Sequence, residues 1–71
     1  MKAAELTAKL KSHGRDAARL DFRTVAVRVP QDRLIRESVA LRLESGWKTV
    51  GEYDPETGAC RVLLRDVAGG A

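Results

Sequence analysis

The run Tyr53-Asp54-Pro55-Glu56-Thr57-Gly58 constrains the fold of this chain more than any other stretch. Pro55 pre-sets φ for the first corner of a type I turn. Asp54 offers a carboxylate to the backbone just beyond it. Gly58 is free to take the left-handed conformation that closes the loop with a bulge. A hairpin turn placed here sets the register of the strands on either side, and with it the face each side chain occupies. Strands are therefore expected over residues 47–53 and 59–66.

Seventy-one residues make one small domain with a modest core, so association with a second copy, most simply as a homodimer, is an expected way to hide more apolar surface. The chain is 44% hydrophobic and 32% charged, a globular composition rather than a disordered one. No apolar run approaches the length of a membrane span. Lys9, Lys11 and Arg15 interrupt anything resembling the core of a signal peptide, so the expected location is the cytoplasm. Cys60 is the one cysteine and His13 the one histidine, too few for a cysteine-ligated metal centre or a supported nucleophile-base pair. No glycine-rich phosphate loop follows a strand. The sequence thus points to a non-enzymatic protein with no cofactor and no metal. Cys60 reads as a small buried hydrophobe on a strand.

Along the chain, Ala3, Leu6, Leu10 and His13 follow helical spacing, and Gly14 supplies the stop of a helix over 3–12. Its thin apolar stripe needs a sheet or a second chain to pack on. Asp16 to Leu20 is compatible with a further helical turn. Val25, Val27 and Val29 alternate with Thr24, Ala26 and Arg28, which predicts a first strand over 22–29. Phe22 is out of phase with the valines, so a bend or bulge is expected near Arg23. Pro30 ends that strand because it has no N–H for a ladder, and Asp32 is placed to cap a short helix over about residues 33–37.

Residues 38–44 admit two readings. As part of a helix from Pro30 to Ser45, the apolar residues Leu34, Ile35, Val39, Leu41 and Leu43 spread over more than half the circumference. As a strand, Val39, Leu41 and Leu43 alternate with Ala40, Arg42 and Glu44, and this alternation favours the strand. Ser45-Gly46 would then be a hairpin loop with Gly46 left-handed, setting Trp47 opposite Leu43. The expected architecture is α+β: an N-terminal helix on an antiparallel sheet of about four strands. The last three form a meander over 38–66, and 67–71 is a frayed tail.

The turn region resembles the designed mini-hairpin chignolin, which carries the same Tyr-Asp-Pro-Glu-Thr-Gly run over six residues. The resemblance implies that Tyr53 lies across from Cys60. From that pairing Glu52 faces Arg61, Gly51 faces Val62, Val50 faces Leu63 and Thr49 faces Leu64. One face then holds Val39, Leu41, Leu43, Trp47, Tyr53, Cys60, Val62 and Leu64. The other holds Arg42, Glu44, Lys48, Glu52, Arg61 and Arg65, with Val50 and Leu63 as apolar exceptions.

The net charge is +3 and uneven. Residues 1–28 carry Lys2, Lys9, Lys11, Arg15, Arg19, Arg23 and Arg28 against Glu5, Asp16 and Asp21, seven minus three, or +4. Lys9, Lys11, Arg15, Arg19, Arg23 and Arg28 are the candidate contacts to nucleic acid. The stretch Thr24-Val25-Ala26-Val27-Arg28-Val29-Pro30 resembles the opening strand of ribbon-helix-helix repressors. That resemblance implies Thr24, Ala26 and Arg28 facing bases, with Arg28 reading guanine. The family continues with two full helices, whereas a hairpin stands at Asp54–Gly58 in this chain. Val29-Pro30-Gln31-Asp32-Arg33-Leu34 is similar to the strand-proline-helix junction of swapped-hairpin antitoxins, without the glycine-rich pattern that follows there. Two functions are open on sequence: a small basic nucleic-acid-binding or regulatory factor, or a protein-protein interaction module using a sheet edge or the exposed Val50 and Leu63.

Overall fold

The computed structural model describes residues 1–66, so the tail expected over 67–71 lies outside the described residues. The element order is α1 (Ala3–Ser12), β1 (Asp16–Asp21), β2 (Thr24–Val29), a 3-10 turn (Gln31–Arg33), α2 (Leu34–Ser45), β3 (Lys48–Tyr53) and β4 (Cys60–Arg65). The fold is α+β, with both helices on one four-stranded antiparallel sheet. The sheet order β1-β2-β4-β3 sets the last three strands of the chain side by side. Two α-β-β units join through the pairing of β2 with β4 at the centre, which leaves β1 and β3 as the two edges.

Helix α1 forms where the spacing predicts it. Ala3, Leu6, Thr7 and Leu10 make its buried stripe, at helical intervals of three and four. The Thr7 hydroxyl donates to the Ala3 carbonyl at 2.8 Å, so the one buried polar side chain of this stripe is satisfied. Gly14, at φ 82°, turns the chain out of the helix.

Residues 16–21 are a strand, not a further helical turn. Asp, Ala and Arg lean helical on propensity alone. Pairing with β2 overrides that, seating Ala17 against Val27 and burying it. The first strand expected over 22–29 begins at Thr24 and is the second strand of the sheet. Phe22 and Arg23 form the turn, where Asp21 Oδ1 accepts from the Arg23 N–H at 2.8 Å, and the register shifts between Arg19 and Asp21. The expected irregularity is real and lies on the β1 side.

The hairpin at Asp54–Gly58 forms with the predicted register. Tyr53 pairs with Cys60, Glu52 with Arg61, Gly51 with Val62, Val50 with Leu63 and Thr49 with Leu64. Asp54 Oδ1 accepts from the Glu56 N–H at 3.0 Å, which holds its carboxyl below the ordinary value of 3.8. Gly58 sits at φ 71°, where an L side chain costs about 1–2 kcal/mol.

The main correction concerns residues 38–44. They belong to helix α2, and the strand predicted there does not form. Leu34 packs on the core and Leu41 is fully buried within it, while Ile35, Val39 and Leu43 point away. An apolar residue on two sides of a helix mimics strand alternation. Gly46 is left-handed as expected, at φ 74°, but it closes a helix instead of a hairpin loop. Asp32 lies within the 3-10 turn, and its side chain makes no cap bond to α2.

Helix α1 lies over β1 and β2, and α2 over β3 and β4. Between them and the sheet sit Val25, Val27, Val29, Trp47, Cys60, Val62 and Leu64. Cys60 is buried as read. The Thr49 hydroxyl donates to the Ser38 carbonyl at 3.0 Å and ties β3 under α2. A Cβ on Gly51 would meet the Leu34 side chain at 3.1–3.3 Å, so glycine lets α2 approach β3 closely. Tyr53 shares the covered side but lies on an edge strand and is 56% exposed, so it is not the core residue expected.

Candidate interaction surface

The six basic residues singled out in the sequence do not form one surface. Lys9 and Lys11 lie in the last turn of α1, favourable at the negative end of its dipole. Arg15 is committed to an ion-pair cluster between the helices. It donates to Glu37 through Nη1 and to Glu44 Oε2 through Nη2, the latter at 3.2 Å. The His13 Nδ1–H donates to Glu44 Oε1 at 2.9 Å. Arg19 and Arg23 line a shallow cleft with Met1, Lys2 and Phe22, and Arg23 also donates to the Asp66 carbonyl at 3.2 Å. Arg28, on β2, borders the same shallow cleft as Arg15, His13 and Glu44, away from the cleft of Arg19 and Arg23.

The cluster shows what α2 does with its acids. Glu37 and Glu44 are two turns apart and face α1, where they bridge the two α-β-β units. The hydrogen bond from His13 holds the Glu44 carboxyl below its ordinary value of 4.5. The charges of Arg15, His13 and Lys9 act in the same direction, against partial desolvation. The folded state therefore favours the ionised carboxylate. Its contribution is present above about pH 4.5 and is lost as pH falls through the lower folded value. We expect Glu44→Gln to flatten the fall of Tm between about pH 5 and pH 3, measured by calorimetry. An unchanged slope would contradict this role.

With its acids turned inward, α2 presents an apolar flank on its other side. Ile35, Val39 and Leu43, spaced by four, are 83%, 43% and 76% exposed. Arg36 and Arg42 flank them and hold no ion-pair partner among the described residues. Ile35, Val39 and Arg42 line a groove about 270 Å³ in volume, with Leu34, Ser38, Thr49 and Gly51 as the rest of its walls. The groove runs between α2 and the free edge of β3. Val50, on the opposite face of β3, is 53% exposed. Among the described residues, five of the eight large exposed hydrophobic residues thus lie on or beside α2 and β3: Ile35, Val39, Leu43, Val50 and Tyr53.

The uncovered sheet face carries Thr24, Ala26 and Arg28 of β2, Arg61, Leu63 and Arg65 of β4, and Lys48, Val50 and Glu52 of β3. Pairings 24–65, 26–63 and 28–61 across the centre, and 48–65, 50–63 and 52–61 at the edge, set them in rows. Glu52 Oε1 accepts from Arg61 Nη2 at 2.7 Å, the predicted cross-strand pair. Among the described residues no aromatic side chain stands on the strands of this face.

Sequence reasoning missed the α2 flank as a surface. The available signal was the breadth of the apolar arc, which counted there against a helix. Among the described residues no group of His, Cys, Asp and Glu gathers to hold a metal ion, and no helix is long and apolar enough to cross a membrane. The chain matches no protein-family model, no curated protein and no solved structure.

Proposed function

We propose that this chain is a small non-enzymatic protein-interaction module whose working surface is the edge of β3 together with the exposed flank of α2. The observation that carries this reading is the collection of Ile35, Val39, Leu43, Val50 and Tyr53 along one edge of the fold. Exposed apolar side chains in a patch mark protein contacts, and Ile35 and Val39 share one groove wall with Arg42 while Val50 is exposed on the other face of the same edge strand. The lone histidine is engaged by Glu44 and the lone cysteine is buried, which supports a binding role over a catalytic one. The lone cysteine, which leaves no internal disulfide to form, is compatible with a cytoplasmic location. The test is association, by sedimentation and by cross-linking, of wild type against Val39→Asp and Leu20→Asp. Leu20 is also exposed but lies on β1, at the far edge. Association that survives Leu20→Asp and is lost in Val39→Asp supports the reading. Equal behaviour of the two variants contradicts it.

One observation favours nucleic acid as a second reading. Phe22 is 75% exposed in the cleft that also holds Lys2, Arg19 and Arg23, which combines a stacking face with cations. This reading predicts binding of a single-stranded oligonucleotide in low-salt gel shifts, weakened by salt and by Arg19→Ala. No shift at low salt would rule it out.

A further inference from the structure

We infer that the occupant of this surface is a second copy of the chain, in a two-fold dimer whose two β3 strands pair antiparallel about Val50. The inference rests on the reading that the β3 edge and the α2 flank are the working surface. Strand β3 is the last in its sheet, so among the described residues one side of its backbone has no strand beside it. Such an edge is a template for another strand.

The symmetry restricts the register. Residues directly opposite in an antiparallel pair point to the same face. For both helix layers to lie on one side of a joined sheet, each residue of β3 must face one of its own kind: covered against covered, open against open. The two-fold axis must then pass through a residue, not between two. Centred on Val50, the open face sets Lys48 against Glu52 of the second copy, Val50 against itself, and Glu52 against Lys48. On the covered face, Thr49 meets Gly51 and Gly51 meets Thr49. The next allowed centre on either side, Thr49 or Gly51, sets Val50 against Lys48 or Glu52 instead. Only the register about Val50 pairs opposite charges with each other and apolar with apolar.

The same arrangement brings the α2 helices of the two copies alongside each other across the seam. Their lateral residues Ile35 and Val39 then face one another above a low floor, because Gly51 has no side chain and Leu34 already packs over it. One contact thus covers Ile35, Val39 and Val50, side chains from a helix and from the open face of a strand. Sequence neighbours alone do not explain why these share an edge. Lys48 and Glu52 would also suit gatekeepers that keep a monomer's edge unpaired. That role gives the opposite result in the following experiment.

Lys48→Glu and Glu52→Lys are made separately, checked for folding by circular dichroism, and sedimented alone and mixed one to one. Alone, each sets like charges opposite at both ends of the seam and should weaken dimerisation by about tenfold or more. Mixed, every pair is opposite in sign again, and the dimer should return. Val50→Cys should also cross-link between copies on mild oxidation, whereas Ala18→Cys on β1 should not. A wild type that dimerises while both variants dimerise equally well, without cross-linking through position 50, overturns the register. In that case Val39→Asp still decides the surface reading separately. A wild type that stays monomeric overturns the second copy as occupant. If it then binds a different protein in a way that Val39→Asp abolishes, the surface reading stands without the dimer.

Discussion

Leu41→Ala should destabilise the fold by about 2–5 kcal/mol, the cost of a cavity at a fully buried leucine. A domain of this size has on the order of 4–11 kcal/mol in total, so the variant should be partly unfolded at physiological temperature. Leu43→Ala, two residues on, should change the stability of the isolated chain by no more than about 0.5 kcal/mol. The contrast follows from α2 being a helix. In a strand the two leucines would share a face and behave alike. Here Leu41 is fully buried and Leu43 is 76% exposed. Urea denaturation of both variants in the Lys48→Glu background, where copies are held apart, reads the two effects without a contribution from association. Equal losses would contradict the placement of α2.

The second large effect is expected on association. Val39 lies between Ile35 and Leu43 on the exposed flank of α2 and beside the groove above Thr49 and Gly51. Position 39 is 43% exposed in the monomer, enough for an aspartate to keep its carboxylate in water, so the circular dichroism spectrum should not change. In the assembled state the carboxylate is desolvated at an apolar contact, with Arg42 of the same groove wall as a neighbouring cation, which raises Kd by about tenfold or more. Titration by sedimentation velocity checks this. A Kd within a few-fold of wild type would remove the α2 flank from the interface.

Turn chemistry made the C-terminal hairpin legible residue by residue. Pro55, Asp54 and Gly58 leave few ways to join two strands, and Tyr53 opposite Cys60, which the hairpin resemblance implied, is present with the four pairs that follow from it. The helix over 3–12 was legible because its apolar residues fall on one stripe. The two misread segments share a physical cause. Residues 16–21 bury one residue, Ala17, so their pattern carries almost no period, and the partner strand decides their state. Residues 34–45 are apolar on two sides, since one side serves the core and the other is exposed. A period test expects a single apolar face and therefore misassigns such a helix. That conflict marked the candidate surface, in keeping with the general finding that local inconsistency collects at functional sites. The basic N-terminal cluster was legible as charge but not as a site. Nothing in the order of residues announced that Glu37 and Glu44 would engage Arg15, or that Arg28 would lie apart from Arg19 and Arg23.

The central claim is that the α2 flank and the β3 edge are covered by a second copy. Sedimentation equilibrium of the wild-type chain over a wide concentration range tests it most directly. The expected result is a mass rising from 7.8 kDa to twice that value, with the rise absent in Val39→Asp. A mass of 7.8 kDa throughout, or a dimer indifferent to Val39→Asp, would contradict it.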